Sequence, residues 1–247
     1  MALYKAILAY DGTDFKGFQR QAAGRTVQGE VENALKRIGW KGTTIRAAGR
    51  TDAGVHASGQ VISFEMDWQH SPDELLRAIN AGLAPDAAVR RLEETPEGFH
   101  PRYSAFRRRY AYRLLFDPVP DPLRERTAWR IWPEPGSDIL ARAAGCFTGE
   151  HDFAAFGRPP VAGGPTVRNV FRSAWEFDPP EAVYTIEANA FLFRMVRRIV
   201  KIQLDAALGK TPIGEIEDRL AGNTAGMVQG LAPARGLILV SVQYKEM

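Results

Sequence analysis

Residues 104–116, SAFRRRYAYRLLF, constrain the fold most. Tyr110, Tyr112 and Leu114 fall on one side of a period-two pattern, and Arg107, Arg109 and Arg113 fall on the other. That period over that length predicts a long strand with an aromatic face and a basic face. Further strands are expected over 4–10, 44–48, 60–66, 87–93, 169–177, 182–189 and 237–244. Helical spacing of Val27, Val31, Leu35 and Ile38 predicts a helix over 27–39 with Thr26 as its N-cap. Others are expected over 72–81 after the cap Ser71, over 137–147, over 191–208 and over 212–221. Strands and helices are mixed, and Pro-rich turns such as DPVPDPLRER separate them. This favours an α+β fold with a largely antiparallel sheet over a doubly wound parallel one. Each half carries strands and two helices, which predicts two related subdomains, 1–103 and 104–247.

The chain of 247 residues has no window near eighteen consecutive apolar residues, so no membrane span is expected. Its first apolar run is interrupted by Lys5 and lacks a signal-peptide cleavage pattern, which predicts a cytoplasmic protein. Cys146 is the single cysteine, and His56, His70, His100 and His151 are not at metal-site spacing. No disulfide framework and no metal site are expected. The common nucleotide, dinucleotide, zinc-protease and nucleophile-elbow motifs are all missing, so no organic cofactor is expected either.

There are 32 basic and 29 acidic residues; of the basic ones seven are lysines and the other 25 arginines. Genome composition can produce such a bias, but arginine is also the side chain that forks onto phosphate and stacks on bases. Two stretches lack any acid. Residues 98–116 hold Arg102, Arg107, Arg108, Arg109 and Arg113 with His100, and residues 188–204 hold Arg194, Arg197, Arg198 and Lys201. On the expected helix the second set forms a stripe opposite Leu192, Val196 and Ile199. A solvated helix face is the plainer reading. Such a face normally mixes both signs, however, and the interleaved Tyr and Phe suit a phosphate track with stacking platforms for nucleic acid.

The run GRTDAGVHASGQV, Gly49 to Val61, is the most unusual in the chain. Asp52 beside Arg50 suits a nucleophile or base kept ionised by a cation. An Asx-turn before Gly54 is the plainer reading from local chemistry alone. GEHDFAAF, residues 149–156, pairs His151 with Asp152, where helix capping by Asp152 is the plainer expectation. YDGTDFKGF, residues 10–18, brings Asp11 and Asp14 among glycines, as a carboxylate site or a strand-ending turn. For Asp11, Asp14, His56 and His151 local hydrogen bonding is expected. Two rivals to a nucleic-acid enzyme remain: a non-catalytic RNA-binding protein with a structural Asp52, and a carboxylate-pair glycoside hydrolase needing a second acid beside it.

GRTDAGVHASGQV resembles the signature of the tRNA pseudouridine synthase A family. The likeness extends in order through YDGTDFKGFQRQ (10–21), TVQGEVENAL (26–35), FHPRYSAFRRRYAY (99–112), GEHDFAAF, NAFLFRMVRRIV (189–200) and LAPARGLILVSVQY (231–244). Phe18 stands where the family usually has Trp, and Lys201 where it usually has Gly. The resemblance implies a pseudouridine synthase fold, with two RRM-like subdomains around a central basic cleft. It implies isomerisation of uridine to pseudouridine at positions 38, 39 and 40 of the tRNA anticodon stem-loop. It implies a homodimer with RNA across both subunits, and no metal or cofactor. By position Asp52 matches the catalytic aspartate and Tyr110 the tyrosine that stacks on the base and is implicated in C5 proton removal. Arg197 matches the partner of that aspartate, and Arg50 the residue that helps flip the base. Arg107, Arg108, Arg194 and Arg198 are expected to hold RNA backbone.

Overall fold

Every second residue of Ala2–Tyr10 (β1) from Tyr4 onward, namely Tyr4, Ala6, Leu8 and Tyr10, is buried. That alternation is what a strand with one face on a core requires. The computed structural model describes residues 1–245. After β1 come α1 (Val27–Arg37), β2 (Arg46–Ala47), β3 (His56–Met66), α2 (Pro72–Gly82), β4 (Ala87–Glu94), β5 (Ala105–Phe116) and β6 (Trp129–Ile131). Then follow α3 (Ser137–Gly145), β7 (Gly149–Asp152), β8 (Val167–Asp178), β9 (Glu181–Ala188), α4 (Met195–Ala207), α5 (Gly214–Leu220), a 3₁₀ turn (Ala234–Gly236) and β10 (Leu237–Tyr244). The fold is α+β with mostly antiparallel pairing. It divides into two compact units, Met1–Phe106 with Ile238–Met247, and Arg107–Leu237.

In the first unit the strand order is β4-β1-β3-β10, with β2 pairing β3. β1 runs antiparallel to β3 and β4, and β10 runs parallel to β3. Helices α1 and α2 pack together, contributing Val31, Ala34, Leu35, Leu75 and Ile79 to the buried set. Thr26 caps α1 by accepting from Gly29 N, and Ser71 and Glu74 form a full capping box on α2. A second cluster of Ala48, Val61 and Phe99 draws in Leu3, Ile7, Val242 and Tyr244.

In the second unit the order is β5-β9-β8-β7, antiparallel throughout, with β6 parallel to β5. Its core holds a hydrogen-bonded polar layer. Ser173 Oγ donates to Ala144 O at 2.7 Å and lies 2.7 Å from the Tyr184 hydroxyl; Trp175 Nε1 donates to Gln203 Oε1 at 2.6 Å. Such pairing offsets much of the cost of burying polar groups; Gln203 Nε2 is the buried atom of this layer without a hydrogen bond.

Two local expectations need correction. Residues 191–194 are not helical: α4 starts at Met195, and Arg194 precedes it with φ 63°, ψ 12°. The apolar spacing continues into a turn held by Phe193 N donating to Arg158 O at 2.9 Å. Asp152 caps no helix. It ends β7, and its Oδ1 accepts from Ala154 N at 2.9 Å, an Asx-turn. The GEHDFAAF segment buries Phe153 and Phe156 against Phe147, while His151 Nε2 lies 3.0 Å from Thr148 O.

Candidate active site

In the first unit Asp52 sits at the end of a long hairpin. Arg46 opposes Ser63 and Ala47 opposes Ile62; Ala48 N donates to Val61 O at 2.8 Å, and Gln60 Nε2 donates to Gly49 O at 2.9 Å. Residues 49–55 then turn, closed by Val55 N donating to Asp52 O at 3.2 Å. Gly54 takes φ 78°, the left-handed conformation that glycine adopts without strain. Asp52 is half-buried and Arg50 is exposed, so both side chains can meet a solute.

The segment 10–18 clamps this turn. The Tyr10 hydroxyl lies 2.8 Å from Thr51 Oγ1, both residues being buried. Phe18 N donates to Thr51 O at 3.0 Å, and Gly12 N donates to His56 Nδ1 at 3.0 Å. A Cβ on Gly12 would meet Val55 O at 2.1 Å, and one on Gly17 would meet Thr51 O at 2.9 Å. The two glycines of YDGTDFKGF thus let two backbones touch on either side of Asp52. Phe18 is buried beside Tyr10. Asp11 Oδ1 accepts from Thr13 N and Thr13 Oγ1, a turn rather than a second acid of a carboxylate pair. Tyr10, Gly12, Gly17, Thr51 and Gln60 were not singled out from sequence; the pair of glycines around Phe15 was the available signal.

In the second unit Tyr110 lies on β5 opposite Ile186, its ring edge-on to Phe191 at 5.0 Å. Tyr112, two residues on, is fully buried and donates its hydroxyl to Pro233 O at 2.8 Å. Burial pushes its pKa up, although Arg197 and Arg235 pull the other way. Tyr112 is therefore a structural phenol, and Tyr110 the half-exposed one. Arg197 Nε donates to Ala232 O at 2.7 Å, while Ala232 N donates to Arg197 O at 3.1 Å. One segment, 232–233, thereby holds both Arg197 and the strand that carries Tyr110.

The basic stretches are less uniformly basic in space than along the chain. Glu187 on β9 is 3% exposed and accepts from Arg107 at 3.0 Å and from Arg109 at 2.6 Å. Arg107 also lies over the Phe171 ring at 4.4 Å. Arg108 Nη1 donates to Asn189 O at 2.7 Å. Arg198 reaches the carbonyls of Phe156 and Phe193. Lys201 pairs with Asp205 one turn along α4, at 2.5 Å. Arg194 is exposed, its guanidinium over Phe193 at 4.7 Å. Among the described residues no group of three or more His, Cys, Asp or Glu is arranged to hold a metal ion, and no helix is long and apolar enough to cross a membrane.

The family described as tRNA pseudouridine synthase matches residues 6–104 and 143–245. The tRNA pseudouridine synthase A of Geobacter sp. (strain M21) is 36% identical over 243 residues, 98% of each chain. That of Geobacillus kaustophilus (strain HTA426) is 38% identical over 245 residues, 98% of this chain and 94% of the relative. A chain in the crystal structure of a Cbf5-Nop10-Gar1 complex aligns at TM-score 0.39 and 11% identity, over 96% of this chain and 48% of that one. On its near-complete match to the first two, the chain belongs to the tRNA pseudouridine synthase family.

Proposed function

We propose that this chain isomerises uridine to pseudouridine at positions 38, 39 and 40 of the tRNA anticodon stem-loop, with Asp52 as the essential carboxylate. The observation that carries the reading is the Asp52 turn, clamped through Tyr10, Gly12, Gly17 and Gln60 while its carboxylate stays half-exposed. A rigidly placed carboxylate is what cleavage of the N1–C1′ bond needs, whether it attacks C1′ or removes a sugar proton. The detached uracil turns so that C5 faces C1′, the new C–C bond forms, and the C5 proton leaves to a base. Tyr110 stacks on the uracil and stands by that proton, Arg197 pairs with the Asp52 carboxylate, and Arg50 fills the space of the extruded base. Arg107, Arg108, Arg194 and Arg198 hold phosphates. The rearrangement is redox-neutral and needs no cofactor. Family membership supports a homodimer with RNA contacting both subunits, working in the cytoplasm.

Tritium release from tRNA carrying [5-³H]uridine tests this directly. Release by the wild type and none by Asp52→Asn is expected. An RNA-binding wild type that releases no tritium from tRNAs with uridine at these positions would overturn it in favour of a binding module.

A further inference from the structure

Tyr103 is 76% exposed in the first unit. A lone exposed ring is ordinary; this one is set in a fixed turn. Ser104 N donates to His100 O at 2.9 Å, His100 N donates to Ser104 Oγ at 3.2 Å, and Arg102 N donates to His100 Nδ1 at 3.1 Å. The turn is anchored on both sides. Phe99 is buried edge-on to Tyr244 at 5.0 Å, and the Tyr244 hydroxyl donates to Pro101 O at 2.8 Å. The His100 ring backs Tyr103 at 4.4 Å between centroids, and the Arg102 guanidinium lies 5.7 Å from the Tyr103 centroid.

The surroundings are positive. Burial and the charges of Arg46 and Arg102 hold the His100 pKa below its ordinary value. Neutral His100 keeps the Nδ1 lone pair that accepts from Arg102 N, so the same environment that repels a proton maintains the turn. Arg46 and Arg102 are both exposed. A preset aromatic ring flanked by cations is the arrangement that stacks a base and attracts its phosphate. The location fits as well: Arg46 starts the hairpin that carries Asp52, six residues away, so the two lie within about 20 Å along an extended chain.

We infer that Tyr103, backed by His100 and flanked by Arg102, is a stacking platform for an unpaired base of the tRNA outside the reacting uridine. This rests on the tRNA reading above. Stacking acts on unpaired bases and releases no counterion, whereas phosphate contact serves a duplex equally and is read by salt.

The test is the affinity of the full-length protein for two synthetic RNAs, an anticodon stem-loop and a loop-free duplex of the same stem. Tyr103→Ala is expected to weaken stem-loop binding by about 5- to 100-fold. The duplex affinity and the salt slope should stay unchanged, and Tyr103→Phe should bind the stem-loop within about twofold of wild type. Equal affinity of Tyr103→Ala and wild type for the stem-loop overturns the inference. So does an equal loss on both RNAs, and so does a change in oligomeric state with RNA binding intact, which would assign the turn to protein contact. A wild type that binds neither RNA and releases no tritium would overturn the tRNA reading and the platform together. A wild type that releases tritium while Tyr103→Ala binds normally removes the platform alone.

Discussion

A Cβ on Gly12 would stand 2.1 Å from the carbonyl oxygen of Val55, three residues after Asp52. No side chain fits there, and the atom in the way is backbone. Gly12→Ala must therefore move the 49–55 turn. A loss of about 10²-fold in single-turnover rate is expected from a displacement near 1 Å, with tRNA affinity preserved. The stability cost should be about 1–3 kcal/mol, read as a lowered urea midpoint. A full rate in a destabilised protein would detach the clamp from catalysis.

The Tyr10 and Thr51 hydroxyls are partners in a buried bond. Tyr10→Phe takes this partner from the Thr51 hydroxyl, and Thr51→Val removes the bond from the other side, at about 1–3 kcal/mol for the first. The double variant should cost less than the two combined, since both single changes break the same bond. Additive losses in a double-mutant cycle would show that the bond contributes nothing specific.

Asp52→Asn is expected to lower turnover at least about 10³-fold with tRNA affinity within a few-fold of wild type. Loss of affinity in parallel would make Asp52 a turn residue. Arg197→Ala should cost more in turnover than in affinity; an unchanged turnover removes its proposed pairing.

Glu187 separates two kinds of arginine. Arg108→Ala should reduce the slope of log affinity against log salt by about one. Arg107→Ala removes one of the two cations that hold a buried carboxylate. It should also destabilise the fold by about 1–3 kcal/mol, a cost that Arg108→Ala lacks in a thermal melt.

His100 has a folded-state pKa below its ordinary 6.5, from burial first and then from Arg46 and Arg102. Between the two values the unfolded chain binds more protons than the native one, so stability rises with pH across that window. Acidification from pH 7.5 to 5.0 should lower the urea midpoint, and His100→Asn should shrink that drop. An identical pH dependence in the variant would exclude His100 as a source.

Elements whose signals are local were legible. Thr26 and Ser71 marked helix starts because a cap and an amphipathic run sit side by side. Residues 191–194 were not, because apolar spacing persists through a turn that Arg194 makes with positive φ. The Asp52 run stood out by its composition, but the clamp around it did not, since Tyr10 meets Thr51 across 41 residues. Likewise an acid-free stretch in sequence carried no warning of Glu187, which reaches Arg107 from 80 residues away.

The pairing of β10 with β3 sets an order of events during synthesis. Ile238 lies beside His56, and the whole second unit is translated between them. At about 5–20 residues per second, β3 waits on the order of ten seconds on the ribosome with the His56–Ala57 end of that edge bare, beyond the stretch that β2 covers. An exposed strand edge invites wrong pairing. The strand that opens just after Asp52 is thus completed among the last steps of folding, and a nascent chain halted inside the second unit would carry the Asp52 loop on an unfinished sheet.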